Sequence, residues 1–311
     1  PVEVLLSGLN RPGERHGTKY TYTAPGYRLK YKDMKDYRNE TGRKLEILME
    51  DKPTGLEVCS NIQFYDGISV IRSWTELKNN GEEDLGVEYV SSFALLGIDK
   101  EGLLSTDEKL EVLIARNAWQ KELIWNRFSM DQLGMSISQP DKVRRSSQTI
   151  SVGNTGNWST KNYLPMGCLK NKETDSILFW QIEQNGSWYW EISDQDGHMY
   201  LQLSGPTEHQ SHWWKNLKPG DTFASVPVSV GSACGDVEEA AGELTKYRRA
   251  IRRKNEDNEK LPVIFNDYMN CLWGDPTTEK ELPLIDKAKE AGCEYFCVDC
   301  GWYSAGFWWD G

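Results

Sequence analysis

The sequence predicts a large all-β sandwich followed by the first strand, helix and strand of a parallel (β/α)8 barrel. From Leu45 onward, short runs of β-branched and aromatic residues alternate with turn signals, and no helical periodicity lasts beyond two turns. An amphipathic helical pattern then spans Asp236 to Lys254. After it, a capped helix lies between two apolar runs within Leu261 to Trp302, the signature of a parallel crossover unit.

At 311 residues the chain exceeds the roughly 250–300 that one hydrophobic core serves, so more than one domain is expected. The boundaries read as a β-sandwich over residues 1–235, a helical linker over 236–260, and an incomplete barrel over 261–311. The start at Pro1 and the end just after Phe307, Trp308 and Trp309 suggest trimming at one or both ends. A removed targeting segment would leave no trace.

Formal net charge is -11, which disfavours nucleic acid as a partner. The basic run Arg248, Arg249, Arg252, Arg253 and Lys254 closes the predicted helix, where cations complement the dipole. No segment approaches the roughly 18 apolar residues needed to span a bilayer, so no membrane role is expected. Seven cysteines scattered over a long chain fit reduced thiols and a cytoplasmic home. Sequons at Asn39, Asn157 and Asn185 carry no weight, because such short matches arise by chance.

Within the sandwich, Ile68 to Leu77 and Val87 to Ile98 read as antiparallel strands around Asn79-Asn80-Gly81. Ser176 to Glu183 and Trp188 to Ile192 read as a hairpin, because Asn185-Gly186 suits a type I′ turn. Leu201 to Leu203 and Phe223 to Val230 add strands, the second entered through the turn Lys218-Pro219-Gly220-Asp221. The tryptophans Trp74, Trp119, Trp125, Trp158, Trp180, Trp188, Trp190, Trp213 and Trp214 are expected mostly to fill the space between sheets. Trp119 and Trp125 are the best candidates for an exposed sugar-stacking role.

Asp236 and Glu239 form a capping pair for a helix with Val237, Ala240, Ala241, Leu244, Tyr247 and Ile251 on one face. The first barrel strand is read at Leu261 to Asp267 and the second at Tyr295 to Asp299. The helix between them starts at Thr277/Thr278 with Glu281 closing a capping box. It buries Leu282, Ile285 and Ala288 and stops at Gly292. In parallel folds the chemistry gathers at the C-terminal strand ends, here Asn266 to Asn270 and Asp299 to Tyr303.

No metal is expected. His209 and His212 sit in a Pro-flanked loop without helical metal spacing. Cys297 and Cys300 would point to opposite faces while a strand holds them.

The runs Asn266-Asp267-Tyr268-Met269-Asn270, Gly274 to Glu279 and Phe296 to Tyr303 resemble the start of the catalytic TIM barrel of the family 36 glycoside hydrolases, the microbial α-galactosidases. Phe179 to Trp188, Leu203 to Pro206 and Trp213 to Gly220 resemble that family's N-terminal β-supersandwich. The resemblance implies hydrolysis of terminal α-linked galactose, as in melibiose or raffinose, with retention of configuration and no cofactor. Retention uses two carboxyl groups about 5 Å apart, and the family carries them on later strands, beyond Gly311. Asp299 matches the first of two acidic sugar-binding positions. Cys300 stands at the second, where a thiol is a weak donor and no strong acceptor. Tyr268 would offer a stacking face, Trp302 would wall the pocket, and Asp267 would bond the ring. A homo-oligomer is also implied. Cys300 keeps open a relative acting on α-N-acetylgalactosamine or transferring galactose, and a carbohydrate-binding or assembly module is the alternative without catalysis.

Overall fold

The computed structural model describes residues 2–9, 19–135, 148–195 and 197–306; Phe307, Trp308 and Trp309 lie outside them. The chain divides into two compact units, Pro1–Ala250 and Ile251–Gly311.

The first unit is built on a ten-stranded antiparallel sheet. From edge to edge its strands are Lys30–Asn39, Gly42–Asp51, Leu56–Phe64, Val70–Asn79, Val228–Cys234, Ser176–Ile182, Tyr163–Asn171, Leu110–Ala118 and Lys121–Ser129. Thr222–Ala224 adds a short strand beside Val70–Asn79. Two smaller sheets complete the core. The strands Val4–Leu6, Leu85–Val90 and Lys215–Leu217 pack on one half through Val4, Leu6, Val58, Leu77 and Val87. The strands Ile150–Asn154, Trp188–Gln195, His198–Ser204 and Phe93–Leu96 pack on the other through Trp190, Leu203, Trp180, Ile182 and Val230. The expected sandwich is present, with inner faces made of alternate residues along each strand.

The expected hairpins are not. Ser176–Ile182 has both edges occupied, by Tyr163–Asn171 and by Val228–Cys234. Trp188–Gln195 therefore joins the opposite sheet, and the chain crosses the core through Asn185-Gly186. Trp180 and Trp190 consequently meet edge to face, 5.1 Å apart at 76°. The hairpin partner of Trp188–Gln195 is His198–Ser204, closed by Gln195 opposite His198, with Gly197 at φ 78°. The dipeptide Asp196-Gly197 carries the same kind of turn signal as Asn185-Gly186.

Val70–Asn79 likewise pairs with Leu56–Phe64 and Val228–Cys234, not with the segment after Gly81. That segment is two strands, Leu85–Val90 and Phe93–Leu96, in different small sheets. At the switch, Ser73 and Thr75 hydroxyls on the large sheet donate to the carbonyls of Ser92 and Ser91, both at 2.7 Å. Buried backbone left without a ladder is thus satisfied. Phe223 to Val230 is also interrupted: Thr222–Ala224 and Val228–Cys234 flank Pro227, which cannot donate to a ladder.

The helix Val237–Ile251 packs with Ala240, Leu244 and Tyr247 buried. Its capping pair forms as expected, with the Asp236 N–H donating to Glu239 Oε2 at 2.8 Å. Arg127 donates to both Asp236 oxygens at 2.7 and 2.6 Å, and the Tyr247 hydroxyl donates to Glu183.

In the second unit, the strands Ile264–Asn266 and Tyr295–Cys297 run parallel, with Ile264 opposite Tyr295 and Asn266 opposite Cys297. The helix Thr278–Glu290 connects them. Both strands are shorter than the sequence suggests, because side chains of Asn266 and Asp267 take over hydrogen bonding to Asp299 where the ladder ends. The helix differs in two respects. Thr277 is the N-cap and makes no side-chain bond there, so the capping box is absent. Its buried residues are Glu281 and Ala288, while Leu282 and Ile285 are 57% and 41% exposed.

Candidate functional site

Two loops leave the parallel pair on the same side, one after Asn266 and one after Cys297. Asn266 links them: its Nδ2 donates to Asp299 Oδ2 at 2.7 Å, and its Oδ1 accepts the Tyr268 N–H at 2.9 Å. Asp267, 1% exposed, accepts the Asp299 N–H through Oδ1 at 2.8 Å and donates its own N–H to the Cys297 carbonyl at 3.2 Å. Trp302 Nε1 donates to the Asp299 carbonyl at 3.1 Å, which curls the second loop back on itself.

Sharp backbone turns make this closure possible. Asn270 and Trp273 adopt left-handed conformations at φ 60° and 54° in the first loop. Gly301, at φ 94°, approaches the Gly274 carbonyl so closely that any Cβ would overlap it. Only glycine tolerates both the dihedral and the contact.

The structure brings Asp267, Asp299, Cys300 and Trp302 together, with Tyr268 joined through its backbone to Asn266. Tyr268 meets Trp273 edge to face at 5.6 Å, and Trp302 meets Tyr303 at 5.2 Å. Trp273 and Trp302 are 55% and 66% exposed, so aromatic surface remains available beside the Asp299 carboxylate. Partial burial, then the nearby Asp299 and Asp267 carboxylates, raise the Cys300 thiol above its ordinary value. The thiol stays protonated. An exposed carboxylate, an amide and exposed rings are the groups that bind a sugar, whose hydroxyls need acceptors and whose C–H faces pack on aromatics.

Sequence reasoning gave no role to Asn266 or Gly301 and assigned Glu281 to a cap. Asn266 ends the apolar run, and Gly301 lies between Asp299 and Trp302, so both had a positional signal. Glu281 had none, since its inward orientation depends on where the helix starts. Burial, then the Asp267 carboxyl, push the Glu281 carboxyl up to about 7.

Of the aromatic candidates elsewhere, Trp119 is 76% exposed at the tip between Leu110–Ala118 and Lys121–Ser129, and Trp125 is half-buried. His209 lies in a short helix, Glu208–Ser211, with Nδ1 3.3 Å from Glu208 Oε2, and His212 caps that helix. Among the described residues no group of three or more His, Cys, Asp or Glu is arranged to hold a metal ion, and no helix is long and apolar enough to cross a membrane.

No family model matches the chain. Among curated proteins, it is 23% identical over 273 residues to an α-galactosidase of Lactobacillus acidophilus, covering 85% of this chain and 33% of that protein. It is 26% identical over 113 residues to α-galactosidase 1 of Pediococcus pentosaceus, covering 35% of this chain and 15% of that one. Among solved structures, a family 36 α-galactosidase of Geobacillus stearothermophilus in complex with stachyose superposes with a TM-score of 0.74 at 18% identity, over 97% of this chain and 39% of that one. The galactosidase domain of an α-galactosidase–sucrose kinase gives 0.70 at 20% identity, over 88% and 37%. The chain therefore shares their fold and is α-galactosidase-like over most of its length, while spanning about a third of the length of the first curated relative.

Proposed function

We propose that this α-galactosidase-like chain is the sandwich and barrel opening of a retaining glycoside hydrolase that releases terminal α-linked galactose from oligosaccharides such as melibiose and raffinose. The observation that carries the reading is the cluster of Asn266, Asp299 and Trp302 at the carboxyl ends of two parallel strands, where an acceptor and an exposed ring share one loop system. Asp299 accepts hydrogen bonds from the sugar hydroxyls, Trp302 and Tyr268 provide apolar walls, and Cys300 and Asp267 complete the pocket. The nucleophile and the acid/base are carboxyl groups on later barrel strands, and those strands cover the exposed apolar surface of Val263, Ile264 and Leu282. The enzyme works without a cofactor, in the cytoplasm and as a homo-oligomer.

A panel of nitrophenyl α-glycosides with the complete enzyme tests the reading. Galactoside cleavage with an α-configured first product supports it. Strong cleavage of the α-N-acetylgalactosaminide without galactoside cleavage replaces the sugar. No cleavage of any α-glycoside, with galactose still bound, leaves a binding module.

A further inference from the structure

We infer that Asp267 and Glu281 hold one proton between them, and that the shared proton makes Asp267 the positioning residue for the Asp299 loop. Both carboxyl groups are withdrawn from water, at 1% and 8% exposure. Asp267 is tied to the second loop by the Asp299 N–H at 2.8 Å. Glu281 has no such tie: among the described residues neither of its oxygens meets a hydrogen-bond donor. It is not engaged in helix capping, because Thr277 makes no side-chain bond at the N-cap.

The neighbouring cations are committed elsewhere. Lys280 pairs with Asp275, and Lys287 donates to Glu290 at 2.7 Å. The group facing Glu281 is Asp267, and Asp299 and Cys300 are acidic groups close to Asp267. Each of these is acidic, so among the described residues nothing nearby supports two negative charges side by side in a dry site. With one proton, the protonated carboxyl donates to its ionised neighbour, and an otherwise orphaned pair becomes a hydrogen bond from the helix to the first loop. Loss of that proton sets two carboxylates against each other and drives Asp267 away from the Asp299 N–H. The consequence for sugar binding rests on the proposed function: the affinity of the Asp299 loop falls as the pair ionises, independently of any catalytic carboxyl.

The test uses the complete enzyme. Carbon-13 NMR follows the side-chain carboxyls of Asp267 and Glu281, and hydrogen exchange follows the Asp299 amide, corrected for its intrinsic rate, from pH 5.5 to 8.5. The expected result is one ionisation of the pair near neutrality with at least a tenfold loss of Asp299 protection across it. Glu281→Gln supplies a permanent N–H donor to Asp267, and its Asp299 protection stays level over the same range. Asp267→Asn keeps an acceptor for the Asp299 N–H while removing one charge, and also levels the profile, so the inference does not depend on one variant folding. Ionisation of both carboxyls below pH 5, or a wild-type pH profile in either variant, overturns it. Galactose is then added as the probe: a titrating pair without galactose-induced shifts at Asp299 at any pH upholds the shared proton and rejects the sugar reading.

Discussion

Asn266 holds Asp299 through a 2.7 Å bond from Nδ2 to Oδ2, across the ends of two parallel strands that share only three rungs. With so short a ladder, side chains do much of the work of keeping the two loops in register. Asn266→Ala removes one bond to a charged group at an exposed position, worth about 1 kcal/mol. Galactoside kcat/KM in the complete enzyme should fall roughly fivefold, while the unfolding midpoint stays unchanged; unaltered kinetics would remove Asn266 from the site.

In the proposed function, Cys300 is the position that sets sugar choice. Cys300→Asp exchanges a protonated thiol for a strong acceptor beside Asp299. The ratio of α-galactoside to α-N-acetylgalactosaminide turnover should change by about tenfold or more, the scale of one charge-assisted bond. An unaltered ratio would show that position 300 does not face the sugar.

Gly301→Ala places a methyl group against the Gly274 carbonyl at a dihedral that side chains avoid. The strain is on the order of 1–3 kcal/mol. Amide exchange in residues 266–274 and 299–303 should accelerate, with no change in the tryptophan environment of the sandwich core.

Glu191 is fully buried and accepts from the Tyr20 N–H at 3.0 Å and from the Tyr189 and Tyr200 hydroxyls at 2.9 Å each. Burial nevertheless raises its carboxyl above the ordinary 4.5, against the lowering effect of those donors. Because the folded value lies above the unfolded one, the stability held by this group is complete below about 4.5 and is lost as pH rises through the folded value. Tyr200→Phe removes a donor to the charged form. Urea denaturation should show a loss of about 1–3 kcal/mol at pH 8 and a smaller one at pH 5; equal losses at both would exclude an ionised Glu191.

Trp190→Ala empties the space that meets Trp180 edge to face. The expected cost is about 3–5 kcal/mol, read as a lower thermal midpoint.

The strands were largely legible because alternation, β-branching and turn residues are local signals. Their pairing was not. Asn185-Gly186 and Asp196-Gly197 carry similar local preferences, yet the chain crosses between sheets at the first, while Gln195 and His198 pair in a hairpin on either side of the second. The choice is made by Val228–Cys234, which occupies the edge of Ser176–Ile182 that a hairpin would need. At the candidate site, the strand ends that carry Asp267, Asp299 and Trp302 could be found from the apolar runs before them, and the roles of these residues came from the family resemblance. Glu281 could not, because a shift of the helix start from Thr278 to Thr277 as N-cap turns a capping side chain into a buried one.

The seating of Val228–Cys234 between Val70–Asn79 and Ser176–Ile182 also bears on how the sandwich is made. During synthesis the large sheet exists first as two half-sheets, each presenting an open edge to solvent or to the other half. The strand that bridges them emerges last of the ten. Closure therefore waits until residues 228–234 have been made, and a ribosome stalled before residue 228 leaves two sticky edges in place of a smaller sandwich.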